Sequence, residues 1–235
     1  MGYTVHHLDS KTWLIEEEAD CNVYMYLLAG DQKALLIDTG YGTIPLNEIV
    51  SSLTDLPVRV LCTHGHFDHI GGNVHFPTVM MHRGDLELCR QESNPSDTLC
   101  RVQWFDRSFT LDLGNRILEV FPVPGHTRGC VAVLDSKHRQ LFTGDTCCKG
   151  PVLLHFDHSA DLRTFRDSML SILAMQDRFC ITWPSHHAKP VGPDILQQFS
   201  EAANLLLDGF AQGTSASGDS VRTFEYRDIS IIYRS

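Results

Sequence analysis

The residues best suited to chemistry are packed into one short stretch, His64-Gly65-His66-Phe67-Asp68-His69-Ile70-Gly71-Gly72. Four side chains able to ligate a metal, His64, His66, Asp68 and His69, fall within six positions. They follow an apolar run that reads as a buried strand, and the glycines after them let the chain turn back around a bound ion. Imidazole nitrogen with carboxylate oxygen suits zinc and other first-row metals, whereas calcium or magnesium calls for oxygen almost throughout. Side-chain alternation points His64 and His66 one way and leaves Asp68 and His69 to reach a neighbouring point, so two ions are plausible. Three later segments repeat the pattern of a strand ending in a ligand at a turn. These are Pro124-Gly125-His126-Thr127, Thr143-Gly144-Asp145-Thr146 and Trp183-Pro184-Ser185-His186-His187.

Short apolar runs bounded by Gly, Pro, Asp or Asn predict the strands that position these turns, over 22–29, 33–38, 58–63, 78–81, 108–113, 117–123, 130–134 and 140–143. Helical periodicity appears over 44–53, 84–91, 161–175 and 194–210. Asp161 is the expected N-cap of the third helix, with Leu162, Phe165, Met169, Ile172 and Leu173 forming one apolar stripe. The Gly- and Ser-rich stretch 212–220 reads as a linker before a closing hairpin of 221–227 and 229–234. The order of elements predicts an α/β protein with sheets covered by helices, folded as one domain over 1–235 with a C-terminal helix and that hairpin.

With 235 residues, 43% hydrophobic and 20% charged, the chain is long and apolar enough for a globular core, which excludes disorder, collagen and coiled coil. Its 19 Lys and Arg against 29 Asp and Glu give a net charge of −10, so a nucleic-acid partner is not expected. The first twenty residues lack a signal-peptide pattern, and no apolar run there approaches the roughly 20 residues of a membrane helix. A cytoplasmic protein with no membrane partner is expected. The eight cysteines form no CxxC pair and read as neither a disulfide framework nor a zinc finger. Nothing nearby in the sequence activates Cys147 or Cys148 as a nucleophile.

In sequence, HGHFDH, PGHT, TGDT and PSHH resemble the successive motifs of the metallo-β-lactamase superfamily, over about residues 22–189. The resemblance implies a four-layered αβ/βα sandwich. It implies one ion held by His64, His66 and His126, a second held by Asp68, His69 and His186, and Asp145 bridging both. His186 fits the family pattern better than the runner-up His187, because a small residue, Ser185, precedes it. Asp38 in LLIDTG matches an early motif whose carboxylate supports the site, a sensible task for a carboxylate that orients ligand imidazoles.

Two divalent ions, zinc by default with iron or manganese as alternatives, would share a hydroxide formed near neutral pH. The implied protein is a dinuclear metal-dependent hydrolase of a small ester, thioester or lactone. The His64, His66 and His126 site would polarise the carbonyl and the other would stabilise the leaving group. Asp68 is the catalytic candidate that orients the hydroxide and passes its proton onward. The alternatives are a phosphodiesterase or nuclease of the same fold and a non-hydrolytic di-iron redox protein, whose relatives carry Glu where this chain has His66. Among hydrolases, Asp145 separates the chain from zinc β-lactamases, and Thr146, Cys147, Cys148 and Lys149 stand where homoserine lactonases have a Tyr. The stretch 147–159 is expected to be a loop over the ions, with Lys149, His155 and His158 as candidate substrate contacts.

Overall fold

The apolar runs become strands because their branched and aromatic side chains pack well on a pleated surface. A computed structural model describes residues 2–93, 100–215 and 220–235, and its elements group into two compact units, Met1–Val120 and Phe121–Ser235.

In the first unit β1 (Tyr3–Asp9), β2 (Thr12–Glu17), β3 (Val23–Ala29), β4 (Ala34–Ile37), β5 (Val58–Leu61), β6 (Thr78–His82) and β7 (Arg101–Phe105) form one sheet in chain order. β1 to β4 pair antiparallel, and β4 to β7 run parallel. Parallel neighbours need crossovers. These contain α1 (Leu46–Leu53), then α2 (Phe67–Ile70) with a 3-10 turn (Gly71–His75), then α3 (Leu86–Glu92). β3 and β4 are buried at every residue, so their sequences read as unbroken apolar runs rather than alternating ones. α1 buries Leu46, Ile49 and Val50, at helical spacing, in a core shared with Leu27, Leu36 and Val60. The hairpin of β8 (Phe109–Asp112) and β9 (Ile117–Pro122) follows. In its turn the guanidinium of buried Arg116 donates to the Lys11 and Ala29 carbonyls at 3.0 and 3.1 Å and to Thr12 Oγ1 at 3.0 Å.

The second unit contains β10 (Val131–Asp135), β11 (Gln140–Gly144), β12 (Pro151–Leu154), α4 (Leu162–Leu173), β13 (Ile181–Pro184), α5 (Asp194–Leu207), β14 (Val221–Tyr226) and β15 (Ile229–Arg234). β10 pairs antiparallel with β11, which runs parallel to β13. β14 and β15 form the expected hairpin, and β12 joins it parallel to β15. Asp161 caps α4 as expected, accepting the Thr164 N–H at 2.7 Å. α4 packs on α5 through Phe165 and Phe199, whose rings meet edge to face at 5.7 Å. Burying each ring contributes roughly 1.5–3 kcal/mol.

Four strands, β1, β2, β7 and β12, are absent from the sequence-based expectation, β13 is the strand expected to end at Trp183-Pro184, and β12 corrects the reading of 147–159 as a loop throughout. Its ladder partner is some eighty positions away in the chain (Pro151 pairs with Ser230), so local pattern carries little of it. Of the expected linker, residues 216–219 lie outside the described residues, while Thr214 forms a bridge with Thr223. Among the described residues no helix is long and apolar enough to cross a membrane.

Candidate metal centre

In the first unit the chain leaves β5 through Cys62 and Thr63 and delivers His64, His66, Asp68 and His69 from one turn that runs into α2. Backbone contacts hold the turn closed. The Gly65 N–H donates to Asp85 at 2.9 Å, the Gly71 N–H to the Gly40 carbonyl at 3.0 Å, and the Thr39 N–H to the His69 carbonyl at 2.9 Å. A Cβ on Gly71 would stand 2.3 Å from the Tyr41 carbonyl oxygen, so only glycine permits this approach.

Asp38 is fully buried and adopts a left-handed backbone, φ 62°. Its Oδ1 accepts the Thr63 N–H at 2.6 Å, and its Oδ2 accepts the Thr63 hydroxyl and His69 Nδ1, each at 2.9 Å. The single Thr63 hydroxyl proton therefore goes to the carboxylate, and Thr63 Oγ1 accepts from His64 Nδ1 at 3.1 Å. One buried carboxylate thus fixes two imidazole tautomers and leaves both Nε2 atoms with a lone pair for a metal. His64 Nε2 faces His66 Nδ1 at 3.0 Å, and His69 Nε2 lies 3.7 Å from Asp68 Oδ2.

In the second unit the ligand-type residues come from three strand ends. His126 lies in the turn after β9, Asp145 directly after β11, and His186 two residues after β13. The pairing of β11 with β13 sets Gly144 opposite Pro184, which brings Asp145 and His186 to the same edge. Asp145 Oδ2 lies 3.7 Å from His126 Nε2 and 3.6 Å from His186 Nε2. His126 Nδ1 donates to the Leu153 carbonyl at 2.9 Å, so its Nε2 also carries a lone pair. His187 is exposed, with a left-handed φ of 64°. Partial desolvation of its ring and the neighbouring His186 lower its pKa.

The donor set suits a divalent first-row metal. Ligands held at about 2.1 Å in a tetrahedral arrangement stand roughly 3.4 Å apart, and the four separations above bracket that spacing. Two ring nitrogens at 3.0 Å repel unless a proton or a cation lies between them. All seven side chains offer a ligand atom to groups that could hold a metal ion.

The remaining candidates lie outside these groups. Lys149 is exposed and pairs with Asp228 at 3.8 Å. His155 and His158 flank Phe156, with ring centroids 4.2 and 5.0 Å from it, and desolvation lowers the pKa of both. Burial pushes the Cys147 thiol up to about 12, the opposite of the shift that activates a thiolate nucleophile. Sequence reading missed Thr63, Asp85, Ser159 and the Leu153 carbonyl. Thr63 was within reach, as a small hydroxyl residue next to the first ligand, whereas the other three act through contacts at a distance along the chain.

The family model described as the metallo-beta-lactamase superfamily matches residues 19–167. The chain belongs to that superfamily. Acyl-coenzyme A thioesterase MBLAC2 of Gallus gallus is 28% identical over 177 residues, covering 60% of this chain and 64% of the relative. Hydroxyacylglutathione hydrolase of Xanthomonas campestris pv. campestris strain B100 is 37% identical over 131 residues, covering 54% of this chain and 47% of the relative. The aligned region therefore spans less than two thirds of either. Among solved structures, a metallo-beta-lactamase from Pontibacter korlensis has a TM-score of 0.69 at 22% identity, covering 86% of this chain and 99% of its own. TMB-1 has a TM-score of 0.72 at 19% identity, covering 88% and 99%. These likenesses show the mixed α/β fold of the metallo-β-lactamase type.

Proposed function

We propose that the protein is a metal-dependent hydrolase of a small ester, thioester or lactone, with the thioester favoured. The observation that carries the reading is the buried Asp38, Thr63 and His64 relay, which together with the Asp38 bond to His69 presets two imidazoles to ligate. Support for the thioester comes from the relatives named as an acyl-coenzyme A thioesterase and a hydroxyacylglutathione hydrolase. In this reading His64, His66 and His126 would hold one divalent ion and Asp68, His69 and His186 a second, and Asp145 would serve as a further ligand. Zinc is the default and iron or manganese the alternatives. Such ions, when bound, supply Lewis acidity toward a carbonyl oxygen and make water acidic enough to attack near pH 7.

The chain's own residues do the rest. Asp68, with 16% of its side chain exposed, takes the proton of the attacking water at a carboxylate oxygen. It returns that proton to the departing sulfur or oxygen as the acyl bond breaks. Asp38 keeps His69 and, through Thr63, His64 in the ligating tautomer.

The test is a panel of thioester, aryl ester, lactone, phosphodiester and β-lactam substrates, run on metal-loaded protein, on chelated protein and on Asp68→Ala. Thioester turnover that needs both metal and Asp68 supports the reading. A metal-loaded protein silent on the thioester, ester and lactone overturns it, and turnover of the phosphodiester alone replaces it with the phosphodiesterase alternative.

A further inference from the structure

A cavity of about 570 Å³ opens in the second unit beside the His126 turn, within the size range of small-molecule sites. Its apolar lining comes from Leu154, Leu162 and the ring of Tyr233, whose hydroxyl accepts the Gly213 N–H at 3.0 Å. Phe156 forms one wall and is held between His155 and His158.

The charged groups on the rim differ in what they have left to give. Arg234 donates to Asp157, and the Asp161 carboxylate is committed to the Thr164 N–H as the cap of α4. Arg128 is different. Its backbone N–H is fixed to the His158 carbonyl at 3.0 Å, while its exposed guanidinium has no carboxylate in ion-pair distance among the described residues. A planar fork of donors in a lining that also carries apolar side chains suits a carboxylate or phosphate on a partly apolar arm.

The cavity wall and the ligand turn are one connected piece. Ser159 Oγ donates to the His126 carbonyl, and the Ala160 N–H donates to the Gly125 carbonyl, both at 2.8 Å. The wall of the cavity is therefore tied to the turn that carries His126. Building on the hydrolase reading above, we propose that this cavity holds the non-reacting arm of the substrate, and that the arm bears an oxyanion paired with Arg128. A thioester whose thiol portion carries a carboxylate or phosphate meets this description, and a small neutral ester does not.

The test uses probes that cannot be hydrolysed and offer no thiolate: S-methylglutathione for the carboxylate, S-methyl-4′-phosphopantetheine for the phosphate, and neutral N-acetyl-S-methylcysteamine. Their binding to the intact metal-loaded protein is measured by calorimetry. At least one charged probe is expected to bind more tightly than the neutral one, and which one does so names the oxyanion. Arg128→Ala should weaken that binding roughly ten- to a hundredfold, the loss of a charge-assisted hydrogen bond. Ala160→Phe, which fills the cavity, should weaken it as well. The neutral probe should be indifferent to Arg128→Ala. Equal binding of charged and neutral probes, or unchanged binding to Arg128→Ala, overturns the proposal even if the protein turns over thioesters. Arg128-dependent binding with no turnover of any thioester, ester or lactone keeps the oxyanion site and removes the hydrolase reading instead.

Discussion

The two units present their ligand-type residues by opposite means. In the first, His64, His66, Asp68 and His69 come from one turn whose shape is set by glycines against backbone and by a buried carboxylate. In the second, His126, Asp145 and His186 come from three strand ends, and Asp145 meets His186 because β11 and β13 are in register. The first arrangement closes very little chain and costs little loop entropy, while the second is secured only when the sheet is complete. Damage to the turn should therefore disable several ligands together, and damage in the second unit should disable them one at a time.

The sharpest way to break that contrast is His64→Ala, which should lower activity to background and reduce bound metal, as measured by elemental analysis of the purified protein. Asp38→Asn comes next. It tolerates the left-handed backbone but removes the charge that orients His64 and His69, so metal affinity should fall about 10–100-fold with the circular dichroism spectrum unchanged. The glycine pair gives the direct comparison. Gly71→Ala drives a Cβ to 2.3 Å from the Tyr41 carbonyl oxygen, whereas Gly125→Ala meets the edge of the Phe165 side chain at 2.6 Å. Overpacking costs about 1–3 kcal/mol, and urea unfolding should place Gly71→Ala near the top of that range and Gly125→Ala near the bottom.

His187→Gly should raise stability by roughly 0.5 kcal/mol by relieving its left-handed φ, seen as a higher unfolding midpoint. The smallest effect is a dependence on pH. The Thr164 N–H and hydroxyl hold the Asp161 carboxyl below the usual carboxylate range. The stability it adds is fully present above the unfolded value near pH 4 and is lost as pH falls through the lowered folded value. Urea midpoints of wild type and Asp161→Asn should differ by a constant amount above about pH 5 and converge in acid.

The same contrast explains what the sequence made legible. The first-unit turn is contiguous, so its four ligand types could be read in a single line, and Asp38 was found through the LLIDTG motif. His126, Asp145 and His186 each looked like an ordinary turn until the motif order linked them. β3, β4 and α4 were readable from continuous burial, helical spacing and a capping Asp. β1 was hidden because its exposed strand carries His6, His7 and Asp9, which do not alternate, and β12 because its partner is β15. Asp85 and Ser159 were invisible because a buried hydrogen bond to a distant backbone leaves no local pattern.

Asp38 answers to two requirements at once, a left-handed backbone and a negative charge aimed at Thr63 and His69. Glycine and asparagine satisfy the first alone, and glutamate keeps the charge but not the ease of that conformation. No other residue in the standard alphabet meets both. The position is therefore closed to gradual change: a mutational path that leaves aspartate passes through a protein with a loosened ligand set, and redesign of the site for another metal must begin elsewhere.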